Sequence, residues 1–353
     1  VKTMDNKRVL YFDLLNISAC FAVICLHHNG IVHEFSNSRV WKESLVIEVL
    51  FYWAVPIFLM LSGANLMSYR KRYNTIEFLK KRIKKVFIPW IFWSIVVLIY
   101  KQIRGEYQLS NFTFKEIVNA ILNCKMESIY WFFPVIISIY LFMPFLSVLV
   151  EQQYRKSLWY IVISGLVINA TIPLICTLAG IEWNTNISIP LNGYSLFVVL
   201  GYLLSTENIE KNYRMGIYAC GIIGLIVRYA GIYVLSIKTG EKNPVFFNYG
   251  HIYSYALAIA VFVLFKYIKW EKMIVFFSKV LKLPYQNIVM CMSSASLGIY
   301  LIHKLVMSVE LNAIGGDRSI LIWRIFFPFI TYFICLIIVL LLKKIPILKH
   351  VVP

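Results

Sequence analysis

The chain has 353 residues, 60% of them hydrophobic and 15% charged, with a formal net charge of +18. A mean hydropathy of +0.72 excludes an ordinary soluble domain, because the apolar stretches recur at the roughly twenty-residue length that crosses about 30 Å of hydrocarbon. The basic excess is spread over short connections instead of being gathered on one soluble face, which excludes a nucleic-acid-binding role.

The sequence predicts an all-α, polytopic membrane bundle forming one domain over 1–353, with ten spans near 9–32, 45–67, 86–103, 129–150, 158–179, 190–205, 214–236, 249–268, 288–311 and 319–342. With the amino terminus inside, 23 of the 35 Lys and Arg residues fall in inner segments and 9 in outer ones, while Arg228, Lys304 and Arg324 lie within spans. The positive-inside bias therefore puts both termini in the cytoplasm of a multi-pass protein of the cell membrane. The first apolar segment is too long for a signal-peptide core and is read as a retained helix. No internal repeat of the transporter kind is visible. The seven cysteines are scattered, with neither zinc-site nor disulfide spacing, so no metal is expected.

In the first span, FDLLNISACFAVICLHH begins with Asp13 and Asn16 and ends at His27 and His28. At about 100° per residue, the eleven steps from Asn16 to His27 leave both on one helical face. Polar groups inside a membrane helix usually face the protein interior or a watery path and often mark function. Asp13 caps the helix or orients a basic neighbour. His28 lies about 100° round from His27, so at most one of the two points along the Asn16 face.

Ser62 and Gly63 in the second span offer close helix approach or a donor toward an oxyanion, with packing favoured. Between the second and third spans, YRKRYNTIEFLKKRIKKVFIP concentrates charge at the inner surface. These residues serve topology and anionic lipid headgroups, or Arg82 and Lys85, three residues apart and neighbours on an α-helix, hold phosphates. Arg70, Lys71 and Arg72 are assigned to topology, and Trp93 and Trp131 to interfacial anchoring or packing. Arg228 and Arg324 either line an outer cavity or snorkel to the outer boundary. Tyr300 and His303 close the stretch SLGIYLIH in the ninth span, where His303 either joins a site or bridges helices.

Five ordered stretches, VPIFLMLSGANL (55–66), FLKKRIKKVFIPWIFWS (78–94), WFFPVIISIYLFMP (131–144), LGYLLS (200–205) and SASLGIYLIH (294–303), follow the polar first helix. Together they resemble the acyltransferase 3 family of integral-membrane acyltransferases over nearly the whole chain. The resemblance implies a ten-helix bundle that takes an acyl group, commonly acetyl, from coenzyme A in the cytoplasm. It places that group on a hydroxyl of an extracytoplasmic glycan, glycolipid or other envelope acceptor. The family signature on the first helix is a basic residue, ten residues, then histidine. Here His27 fills the histidine position, and Asn16, which can hydrogen-bond an amide or anion but supplies no charge, fills the basic one. Of the arginine pair that the family often carries before the proline of its third span, only one remains as Arg, leaving Arg82 and Lys85 as the expected phosphate contacts.

The implied chemistry suits His27. Acyl transfer from a thioester to a hydroxyl needs the hydroxyl proton removed, work that imidazole does near neutral pH; a covalent acyl-histidine is the other route. At 1.5 Å per residue His27 lies about 25 Å along the helix from Leu10, near the outer leaflet. The sequence also admits a transporter or flippase of a glycan or lipid-linked substrate that makes no covalent change, and nothing in it fixes an oligomeric state.

Overall fold

The computed structural model describes residues 8–108, 112–281 and 284–353, the side chains of 277 and 279–281 excepted. Of the inner basic residues counted above, Lys2, Lys7 and Lys282 lie outside the described residues. Among those described there is no β-strand. Among the described residues nine helical segments are long and apolar enough to cross a membrane, and Gly193–Thr206 is a shorter apolar helix.

The first span is α1 (Leu10–His28). It stops at Asn29, whose side-chain amide donates to the Ser44 carbonyl at 2.7 Å. The second span is two helices, α2 (Arg39–Phe51) and α3 (Ala54–Leu66). Pro56 explains the break, because its ring clashes with the carbonyl four residues back, at Tyr52. After α4 (Thr75–Arg82), whose N-cap Asn74 accepts from Glu77 N, a wider π turn at Ile83–Phe87 leads into α5 (Ile88–Ile103). The turn precedes Pro89, which has no N–H to close an α-turn onto Lys85. A second π turn, Leu166–Thr171, stands in the same way before Pro173, between α8 (Arg155–Gly165) and α9 (Ile172–Ala179). These turns rotate the faces predicted by a strict 3.6-residue period.

Two connections expected to be loops contain amphipathic helices: α6 (Phe114–Leu122), opened by a Thr113–Glu116 capping box, and α13 (Trp270–Leu281). The remaining spans are α7 (Phe132–Leu146), α10 (Gly193–Thr206), α11 (Lys211–Thr239), α12 (Ile252–Tyr267), α14 (Tyr285–Ala313) and α16 (Phe327–Lys344). The last predicted span is split: α15 (Leu321–Ile325) ends just before Pro328.

Helices α3 and α10 approach most closely. A Cβ on Gly63 would lie 1.8 Å from the Val198 carbonyl oxygen, and one on Gly201 would lie 2.0 Å from that of Met60. Gly63 is therefore a packing residue, and Ser62 donates to the Phe58 carbonyl of its own helix at 2.9 Å. At 29 residues, α11 and α14 are each about 43 Å long, more than the hydrocarbon needs. At the outer end α11 contributes Ile232 to a second apolar core with Trp41, Leu45 and Phe246.

Arg228 is 1% exposed within that outer region, paired with Glu48 at 3.1 Å and lying 3.3 Å from the centre of the Tyr52 ring. Arg324, 2% exposed, bonds Glu43 at 3.1 Å. Neither arginine snorkels: each is neutralised by a carboxylate on α2, so burial leaves no lone charge. At the inner side the tail after α16 turns back into the bundle. Val351 and Val352 are buried, and Trp93 Nε1 donates to the Val351 carbonyl at 2.8 Å, which makes Trp93 a packing residue.

Candidate active site

The polar face of α1 meets a polar face of α14. Near the inner end, Arg8 pairs with Asp13 at 2.6 and 2.7 Å, and Ser293 Oγ donates to the same carboxylate at 2.7 Å. Asp13 thus orients a basic neighbour and ties α1 to α14. Asn16 uses its amide nitrogen on the Ser293 carbonyl and hydroxyl, at 2.8 and 3.1 Å. One turn further, Cys20 Sγ meets the Ser296 carbonyl at 3.5 Å. The inner half of the stripe is therefore an interhelical seam, where a polar group is satisfied across the interface rather than left in hydrocarbon.

At its outer end the stripe becomes a histidine pair. His27 Nδ1 is 2.7 Å from His303 Nε2, and the rings are inclined by only 11°. His303 is fully buried, and its Nδ1 lies 2.7 Å from the Tyr300 carbonyl. The hydrogen-bond network assigns the protons. A carbonyl only accepts, so His303 Nδ1 carries hydrogen. In the neutral ring His303 Nε2 then accepts from His27 Nδ1–H, which leaves the lone pair of a neutral His27 on Nε2. His27 is only partly buried, and no protein group bonds that nitrogen among the described residues. The arrangement can orient an imidazole and present an unprotonated nitrogen to a hydroxyl.

His28 turns away from this pair. It is 1% exposed and bonds Thr331 Oγ1 at 2.8 Å, while Thr331 donates to Glu310 Oε2 at 2.5 Å. This chain ties α1 to α14 and α16. Neither Thr331 nor its link to Glu310 was legible in the sequence, because the three residues come from three separate spans.

Arg82 and Lys85 both lie at the inner end. Arg82 stands over the rings of Phe78 and Tyr140, at 5.6 and 5.5 Å, and its Nε is buried without a hydrogen-bond partner. Lys85 is exposed and sits within the π turn, so it is rotated from the position that α-helical spacing beside Arg82 predicts. A separate cavity of about 760 Å³ opens at the inner ends of α7, α8 and α10, with Arg70, Lys71, Arg155 and Glu207 among its lining residues; neither Arg82 nor Lys85 lines it. Arg70 there bonds Ser147 at 2.7 Å, and Arg155 pairs with Glu207 at 2.7 Å. Burial pushes the Glu207 carboxyl up, but the hydrogen bonds from Arg155 and Trp159 and the nearby Arg155 and Lys266 charges outweigh it and hold the group below its ordinary value.

An all-helical membrane bundle whose first and ninth spans meet through a hydrogen-bonded histidine pair near one end defines the class: an integral-membrane protein. The chain belongs to the acyltransferase 3 family, whose acyltransferase-domain model matches residues 9–343. No curated protein and no solved structure matches it.

Proposed function

We propose that the protein is a cell-membrane enzyme with a single catalytic domain that moves an acetyl or other short acyl group from cytoplasmic acyl-CoA to a hydroxyl of an extracytoplasmic glycan or glycolipid. The observation that carries this reading is the 2.7 Å contact of His27 Nδ1 with His303 Nε2, anchored in turn on the Tyr300 carbonyl. It leaves His27 Nε2 as a base near the outer side, and family membership supplies the acyl-transfer class.

In this scheme the acceptor oxygen forms a bond to the thioester carbon while His27 Nε2 removes its proton. The C–S bond breaks, the sulfur leaves with the electron pair, and the proton passes from His27 to the departing thiolate, giving ester and CoA-SH. His303 holds the ring and stabilises the imidazolium that forms in passing. Arg82 and Lys85 bind donor phosphates at the inner side. Asn16 has its amide nitrogen committed to Ser293, so only its carbonyl oxygen is free to meet the donor.

The test is transfer itself. Purified protein, isotopically labelled acetyl-CoA and an envelope glycan preparation should yield labelled glycan by mass spectrometry, and His27→Ala should abolish it. Translocation of an unmodified glycan with no loss of acetyl-CoA would replace this reading with the transporter one.

A further inference from the structure

We infer that the buried face of α5 carries the pantetheine arm of acyl-CoA, with the Trp90 indole N–H and the Ser94 hydroxyl donating to its two amide carbonyls. This rests on the acyl-CoA-dependent reading above and adds the path that joins the inner phosphate contact to the outer base.

Trp90 is 3% exposed and Ser94 fully buried, yet Trp90 Nε1 and Ser94 Oγ have no hydrogen-bond partner, and neither does Arg82 Nε. Buried donors are rarely left unpaired, and each such group asks for an explanation. The surroundings sharpen the contrast. One position before Ser94, Trp93 N–H reaches the Val351 carbonyl at 2.8 Å, and Tyr130 OH reaches the Leu301 carbonyl at 2.7 Å. Tyr300 OH is likewise bonded to the Ile129 carbonyl. Packing in this region satisfies its polar groups and leaves two neighbouring donors, one helical turn apart, open.

The open donors lie beside a chain of packed rings that reaches the histidine pair. Arg82 stands over Tyr140 of α7. The Trp90 ring stacks on Phe133 at 6.1 Å, Phe133 meets Tyr300 at 5.8 Å, and Tyr300 meets the His303 ring at 5.7 Å. Twelve residues separate Arg82 from Ser94, about 18 Å of helical rise. In chain order this face offers a cation, the apolar Val86, then two neutral hydrogen donors, and it leads to the histidine pair. An acyl-CoA offers a diphosphate, a branched apolar segment, two amides in series and a thioester, in that same order. A lipid acyl chain has no acceptor for either donor, so the sequence of groups favours pantetheine.

The experiment measures binding of CoA and of adenosine 3′,5′-bisphosphate, which lacks the arm and the outer 5′-phosphate, to full-length protein in detergent. Trp90→Phe and Ser94→Ala should each weaken CoA by about 3- to 10-fold, the loss of one neutral hydrogen bond, and leave the bisphosphate unchanged. Arg82→Gln should weaken both ligands. Ser94→Ala deletes only an oxygen with no hydrogen-bond partner inside the protein, so its unfolding temperature should not fall, which a purely structural role would not predict; Trp90→Phe also removes ring carbons packed on Phe133 and should lose some stability, so it is read by the split between CoA and bisphosphate alone. If wild-type protein binds CoA and both variants bind it as tightly, the route is wrong while the donor reading stands. Equal weakening of CoA and bisphosphate by Trp90→Phe also overturns it. If wild-type protein binds no CoA, the acyl-CoA reading fails and this inference with it.

Discussion

Replacing His303 with Leu tests the histidine pair directly. The substitution removes the acceptor for His27 Nδ1–H, which lies 2.7 Å away, and frees the Tyr300 carbonyl. In the resting state that is one neutral hydrogen bond. When His27 takes the acceptor proton the same contact becomes charge-assisted, worth about 1.5–3 kcal/mol, so its loss should fall mainly on kcat, by about 10- to 150-fold. His27→Ala removes the base itself and should cost about 10²- to 10⁴-fold. The double variant should be no slower than His27→Ala alone, because His303 acts only through His27. His303→Gln should recover part of the rate, since its amide can donate to Tyr300 and accept from His27. Cys220 and Cys291 are free and exposed, so thiol dyes would report on the protein as well as on released CoA, and labelled acyl transfer is the better assay. A fully active His303→Leu variant, or strictly additive single losses, would refute the pair as a working unit.

Gly63→Ala should force α3 and α10 apart, since the new Cβ would meet Val198 O at 1.8 Å, and should cost about 1–3 kcal/mol or more; Gly216→Ala, with nothing within 4 Å, should be neutral or stabilising. Equal unfolding temperatures for those two variants would contradict the packing described. His28→Ala strips a partner from the buried Thr331–Glu310 bond and should destabilise by about 1–3 kcal/mol while folded protein keeps its rate; loss of rate without loss of stability would move His28 into the chemistry. Arg228→Met leaves Glu48 buried without its counter-charge and should cost about 3–5 kcal/mol, and adding Glu48→Gln should restore much of it, as read by thermal unfolding. Membrane-impermeant labelling of single introduced cysteines should reach the region around Asn184 from outside and the loop from Arg70 to Lys85 only after permeabilisation; reaching both from one side would overturn the ten-span topology.

The sequence by itself determined the solvent of this protein and hence its fold class. Hydropathy and span length are local properties, and in hydrocarbon only a helix can satisfy its own backbone within a segment. The polar stripe on α1 was equally legible, because 3.6-residue periodicity fixes which residues share a face, and it singled out His27 and separated it from His28. What the stripe faces was not legible. Only the tertiary structure set Asn16 and Asp13 against Ser293, which turned the inner half of the stripe into a seam, and brought His303 to His27 across 276 positions of chain. In place of the cavity-lining or snorkelling position expected of Arg228 it set a buried ion pair to Glu48 180 positions away, and it assigned Gly63 to a contact with the Val198 backbone. Lys85 shows the limit of periodicity within one helix: the proline at 89 opens a π turn that shifts its face. Helix formation is decided by neighbours in the chain. Which faces meet is decided by packing between helices distant in sequence, and each pairing there is favourable only when both partners are in place.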